Sequence, residues 1–190
     1  MSAEPAPPKL TFKPVTKATW KDFEALFESR GAPSYCWCMP FRELDVKSRS
    51  ASSNADRKRG MKAFVGKRTP VGLVGYLKGE PIAWCSVGPR DSFMPKLTDD
   101  YDAEAGEPDV WSITCFFVLR EHRGQALTQQ LLDAALAYAK KRGAKVVEGY
   151  PVAPSSPSYR FMGFLPLFRG RKFKAAGKAG SRRHVMRRSV

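Results

Sequence analysis

The sequence predicts an α/β fold organised around a parallel strand-helix-strand unit, and three observations carry that expectation. Across residues 110–130, VWSITCFFVLREHRGQALTQQ, an apolar strand run passes through a basic turn directly into an amphipathic helix. A second apolar run at 144–152, AKVVEGYPV, follows that helix, so a right-handed crossover would lay it parallel to the first. Upstream, apolar runs at 71–77 and 81–88 flank Lys78-Gly79-Glu80, the composition of a tight antiparallel hairpin.

Each element follows from its local pattern. Residues 9–15 read as a short strand, after which Thr16 or Thr19 caps a helix that aligns Trp20, Phe23, Leu26 and Phe27 on one face. Gly31-Ala32-Pro33-Ser34 ends it. A serine-rich loop leads to a very basic helix over 54–66, capped by Ser53 or Asn54, with Met61, Phe64 and Val65 as its apolar side. Trp111, Ile113, Cys115, Phe116, Phe117 and Val118 form a bulky run too short for a helix and too apolar for a sheet edge, hence a buried strand. From Leu127 the apolar positions Leu131, Leu132, Ala135, Leu136 and Ala139 follow at helical spacing. Arg142 and Gly143 close that helix with positive charge and a residue suited to a left-handed cap.

At 190 residues and 43% hydrophobic, the chain can bury one sizeable core, so a single domain over 10–190 is expected behind a flexible, proline-rich tail at 1–9. That tail has no apolar stretch of a signal peptide and no later run reaches membrane-span length, which predicts a cytoplasmic protein with no membrane partner. Cys36, Cys38, Cys85 and Cys115 then read as free thiols. A lone Cys-x-Cys, with only His122 and His184 elsewhere, lacks the paired spacing of a zinc site, so no metal is expected. Tyr35, Trp37, Met39 and Phe41 read as an aromatic loop over a substrate cleft.

The turn Arg120-Glu121-His122-Arg123-Gly124-Gln125-Ala126 is where chemistry is most visible. The unpaired amides of a helix's first turn, with the positive end of its dipole, bind anions, and glycine lets a phosphate approach the backbone. An ordinary turn with solvated arginines has the same composition. In its flanks, however, the chain resembles the GNAT superfamily of acyl-CoA-dependent N-acetyltransferases. There, a strand ending in a hydrophobic residue leads through an Arg/Gln-x-x-Gly-x-Gly/Ala turn into a Leu-rich helix and a parallel strand. The match is Val118, then Arg123-Gly124-Gln125-Ala126-Leu127-Thr128, then Leu131-Leu132, then 146–151. Ala126 stands for a usual glycine, with a methyl that helical dihedrals would accommodate, and Thr128 for a usual glycine or alanine, adding a hydroxyl.

The resemblance implies a GNAT-type mixed, mostly antiparallel central sheet with helices on both faces, whose central strand splays from its parallel neighbour to admit acetyl-CoA as co-substrate. It implies that the backbone at Phe116, Phe117 and Val118 holds the pantetheine arm and faces the thioester, and that the turn at Arg123–Thr128 takes the diphosphate. The reaction implied is acetyl transfer to an amine by direct attack in a ternary complex. Glu148, between Val147 and Gly149 on a buried strand, is the leading base, with a structural carboxylate paired to arginine as its alternative. For the leaving-group acid, the family's Tyr-x-x-x-Gly-Phe setting is sought at Phe168-Arg169-Gly170-Arg171-Lys172-Phe173. That placement puts phenylalanine at the tyrosine position and leaves Tyr159 or Tyr150 as substitutes, either of which also reads as a core aromatic with a wet hydroxyl.

The formal net charge of +15 is uneven: 151–190 holds ten Lys and Arg and no acid, whereas 99–109 holds six carboxylates and no base. Anionic coenzyme A accounts for part of the excess. The remainder reads as a solvated tail partly neutralised by the acidic loop, or as an RNA contact. The partners in view are therefore an amine acceptor, small molecule or protein, RNA through 151–190, and a second copy of the chain in a homodimer. The alternative from another class is a GNAT-fold protein that binds nucleic acid or acyl-CoA and has lost catalysis.

Overall fold

The computed structural model describes residues 7–46, 49–99, 101 and 107–190. Its centre is a seven-stranded sheet, built from β1 (Thr11–Pro14), β2 (Gly72–Leu77), β3 (Glu80–Pro89), β4 (Val110–Val118), β5 (Val146–Gly149), β6 (Lys174–Ala179) and β7 (Arg183–Ser189). The order is β1-β2-β3-β4-β5-β7-β6, and every neighbouring pair is antiparallel except β4 and β5. The expected mixed, mostly antiparallel sheet is thus the observed one. Lys78 and Gly79 both take positive φ, the twist a two-residue hairpin requires, and Leu77 pairs with Glu80.

Helices cover both faces because alternate residues of the central strands are apolar in both directions. Cys85 and Val87 of β3 face α3 (Leu127–Lys141), with Leu131, Leu132 and Ala135, whereas Trp84 faces α1 (Trp20–Glu28) and α2 (Asn54–Gly66). Phe23 and Phe27 of α1 lie 4.8 and 5.9 Å from the Trp84 ring, with Trp37 stacked on Phe27 at 5.5 Å. Ser53 caps α2 in a reciprocal box with Asp56. Thr19 occupies the cap position of α1, but its hydroxyl donates to the Pro14 carbonyl instead of capping. Among the described residues no helix is long and apolar enough to cross a membrane. Residues 1–6 of the expected flexible tail lie outside the described residues, and Pro8 is held by Gln130, whose amide donates to its carbonyl at 2.8 Å.

The C-terminal region corrects the sequence reading most. Residues 151–190 are not a basic tail: after the short α4 (Leu165–Gly170), the chain forms the β6–β7 hairpin and β7 inserts beside β5. Its arginines are largely spoken for. Arg183 is buried, with its guanidinium donating to the Leu97 carbonyl, Arg187 pairs with Glu107 and Glu148, and Arg188 donates to the Arg171 carbonyl. Counting charge along the chain misses these partners because they come from other elements. Of the acidic segment, Asp99 lies 3.6 Å from Arg183 and Asp109 lies 3.0 Å from Lys145; Asp100, Asp102 and Glu104 lie outside the described residues.

Candidate active site

The site arises where β4 and β5 part. They pair from Val110↔Val146 to Ile113↔Gly149 and no further. Two features force the split. A Cβ on Gly149 would fall 2.0 Å from the Phe168 ring, which packs tightly on this backbone and lies 6.1 Å from Phe116. Beyond it, Val152 forms its bridge with Phe164 instead of with β4. On the other side, β3 pairs Ser86 with Cys115 and Val87 with Ile113, leaving Thr114 as a bulged residue. Its hydroxyl donates to Ser86 Oγ at 2.9 Å. A bulge re-aims the strand at the point where its outer edge becomes free, so the stretch from Thr114 to Val118 pairs with β3 alone.

A cavity of about 240 Å3 opens against this free edge. Thr114, Cys115, Phe116 and Phe117 form its floor, and the α1–α2 connection contributes Pro33, Tyr35, Cys36, Cys38 and Phe41. Phe161 and Arg123 complete the wall. Of the expected aromatic loop, Tyr35 is 66% exposed at the rim and Phe41 lines the cavity, whereas Trp37 and Met39 point into the core beneath. Contact with Cys38 together with burial pushes the Cys36 thiol up, and contact with Cys115 together with burial pushes Cys38 well up. Both line the cavity as neutral thiols.

The turn after β4 has the geometry of an anion cradle. Gly124 has φ +78 and nothing lies within 4 Å of the position a Cβ would take, so the space above it is open. Arg123 is tethered by a 2.9 Å hydrogen bond from Nε to the Val118 carbonyl, and Gln125 is half-buried beside it. Leu127 opens α3 with its side chain in the core, leaving its amide for the turn, and Thr128 is half-buried in the first helical turn. Ala126 departs from expectation: it is left-handed, with φ 55 and ψ 19, not helical. The preference of the resembled pattern for glycine there thus has a backbone cause.

Glu148 and Tyr150 are not among the residues lining this cavity: Glu148 lies in the paired half of the strands and Tyr150 is the first residue past it. The Glu148 carboxylate is fully buried, with Arg90 Nη1 donating to Oε1 at 3.0 Å and Arg187 Nε in charge contact at 3.1 Å. Tyr150 donates to Oε2 at 2.9 Å, and Ser112 Oγ lies 3.0 Å from that hydroxyl. Both carboxylate oxygens are thus engaged within the protein, the arrangement expected of the paired, structural alternative. Burial and the neighbouring Glu148 charge hold the Tyr150 hydroxyl protonated, pushed well above the usual range.

Tyr159 is placed otherwise. It is 38% exposed, its ring centroid is 6.2 Å from that of Phe161 in the cavity wall, and the Arg183 guanidinium stands 5.3 Å from it while also facing Phe41 at 5.2 Å. Its φ of 57 is a left-handed conformation unusual for an aromatic residue, of the kind concentrated at functional sites. Arg160 fixes the segment by donating to the Pro154 and Ser156 carbonyls. Tyr159-Arg160-Phe161-Met162-Gly163-Phe164 carries the Tyr-x-x-x-Gly-Phe spacing, which the sequence reading sought at Phe168–Phe173. Phe168 is instead the buried ring packed on Gly149. Thr114 was also missed, and its bulge leaves no trace in sequence.

The model of the Acetyltransferase (GNAT) family matches residues 18–164. Among solved structures, an acetyltransferase from Thermus thermophilus is similar at 16% identity and a TM-score of 0.57, covering 98% of this chain and all of its own length. The ribosomal-protein-alanine N-acetyltransferase of Brucella melitensis has 15% identity and a TM-score of 0.56, with 95% of this chain and 99% of that one covered. A putative phosphinothricin N-acetyltransferase has 18% identity and a TM-score of 0.53, covering 96% and 99%. These identities speak for the fold alone. No curated protein sequence matches the chain.

Proposed function

Because the chain belongs to the GNAT acetyltransferase family, whose members generally bind acetyl-CoA, we propose that it transfers an acetyl group from acetyl-CoA to an amine by direct attack in a ternary complex. The observation that carries this reading is the parting of β4 from β5 beside the open turn at Gly124. The bound thioester supplies an activated acyl carbon and a thiolate leaving group. The free edge of β4 at Phe116 and Phe117 offers backbone groups to an extended arm, beside Val118, whose carbonyl already holds Arg123, and the turn from Arg123 to Thr128 offers helix-terminal amides to the diphosphate.

An uncharged amine forms the new C–N bond as the C–S bond breaks. Tyr159 donates its proton to the departing sulfur and recovers one from the acceptor nitrogen, so the products are an amide and a free thiol. Arg183, over the Tyr159 ring at 5.3 Å, and Phe161, tilted against it at 6.2 Å, position Tyr159. Neither carboxylate chemistry at Glu148 nor a cysteinyl intermediate enters.

Acetyl-CoA at a hundred times its Kd should stabilise the protein by about 2.7 kcal/mol, read as a rise in Tm. Gly124→Glu sets a side chain and negative charge into the cradle and should remove that rise relative to the variant's own unliganded Tm. An undiminished rise would place the cofactor elsewhere.

A further inference from the structure

Resting on that transferase reading, we propose that the acceptor is a small aromatic amine that enters the site already uncharged. The cavity beside the β4 edge is walled by Tyr35, Phe41, Phe117 and Phe161, an arrangement that receives a flat ring. At about 240 Å3 it lies below the roughly 300–1,000 Å3 of sites for drug-sized ligands, and the acyl-CoA arm along its Phe116–Phe117 floor takes part of that, so what remains suits one ring and not a folded peptide segment.

Its electrostatics point the same way. Among the described residues no Asp or Glu lines it, and the one charged side chain in its wall is the cation Arg123. On the neighbouring α2, Arg57 donates to the Tyr35 carbonyl, whereas Lys58, over the Trp37 ring at 5.2 Å, is already paired with Glu24 and Glu28. A protonated alkylamine would therefore lose its hydration and find no carboxylate in that wall to hold it or accept its proton. Glu148, the carboxylate nearest in topology to the β4–β5 split, is committed to Arg90 and Arg187. An ordinary alkylammonium gives up its proton near pH 10.4, which leaves about one molecule in 2,500 neutral at pH 7. An aromatic amine, whose lone pair is delocalised into the ring, is neutral there and can attack without a base.

The test compares p-toluidine, spermidine, a lysine-containing peptide and glycine as acceptors of acetyl-CoA, with product mass as the readout and calorimetric titration of p-toluidine into the CoA-saturated protein as a second one. At pH 7 kcat/KM for p-toluidine should exceed that for each alkylamine about a hundredfold or more, and the gap should narrow about tenfold per pH unit up to pH 9. Tyr35→Asp places a carboxylate at the exposed rim and should shift the preference towards spermidine. Alkylamines used as fast as p-toluidine at pH 7, or p-toluidine that fails to bind, would overturn the acceptor class while leaving the transferase reading intact. Acetyl-CoA binding with no amine acetylated would overturn both.

Discussion

The two halves of the β4–β5 pair hold similar numbers of polar groups and use them in opposite ways. On the paired side, Glu148 is held by Arg90, Arg187 and Tyr150 with Ser112 against the tyrosine hydroxyl, a buried cluster in which Arg187 Nε contributes charge without a hydrogen bond. In the parted half, the strand edge from Thr114 to Val118 faces a cavity, the turn at Gly124 is open, and Tyr159 stands half-exposed beside it. A buried carboxylate on a central strand looks like a catalytic group until its partners are known. Here burial goes with the paired half, and the proposed chemistry falls in the open one.

The largest expected effect falls on the paired half. Glu148→Gln removes the countercharge from two arginines, and breaking a buried pair costs about 3–5 kcal/mol, read by denaturant unfolding. The molecules still folded should turn over at nearly the normal rate; a hundredfold loss per folded molecule would restore Glu148 to the chemistry. In the parted half the converse is expected. Tyr159→Phe should lower kcat about a hundredfold, the usual worth of a positioned acid, while Tm and the acetyl-CoA shift hold. A change in stability with no change in kcat would erase the contrast.

Alkali sharpens it. The folded state holds Tyr150 protonated above its ordinary range, so its contribution is full below about pH 10 and declines above it, where the unfolded chain ionises first. The decline approaches about 1.4 kcal/mol per pH unit, and Tyr150→Phe should flatten it in melts from pH 9 to 11. Equal slopes would mean that the cluster is looser than its distances indicate. The smallest effect is at the turn: Ala126→Gly relieves a left-handed penalty of about 1–2 kcal/mol and adds roughly 0.5–1 kcal/mol of unfolded-chain freedom. A net gain of about 0.5–1 kcal/mol in Tm-based stability is expected, and a loss would show that the methyl packs usefully.

How much of this was legible follows from the range of each signal. α1, α2, α3 and β4 were readable because their apolar periodicity is local, and so was the hairpin at Lys78-Gly79. The turn from Arg123 to Thr128 was readable as a motif, and Tyr159 was readable too, since its six-residue spacing is intact. β6, KAAGKA, was not: its side chains are nearly all exposed, as suits a lysine-bearing edge strand, and no alternation survives. β7 hid behind its arginines, whose partners lie on other elements. Arg90 is 58 residues from Glu148, and no window over sequence joins them. The bulge at Thr114 depends on the register of β3 against β4, which exists only once the sheet does.

The insertion of β7 beside β5 sets an order of events during synthesis. Arg187 leaves the ribosome roughly 40 residues after Glu148, a delay of about 2–8 s at about 5–20 residues per second. Throughout that interval β5 has an open flank and Glu148 lacks one of its two cations. The nascent chain must keep that carboxylate wetted, so β5 can dock only loosely against β4 until the β6–β7 hairpin arrives to seal it.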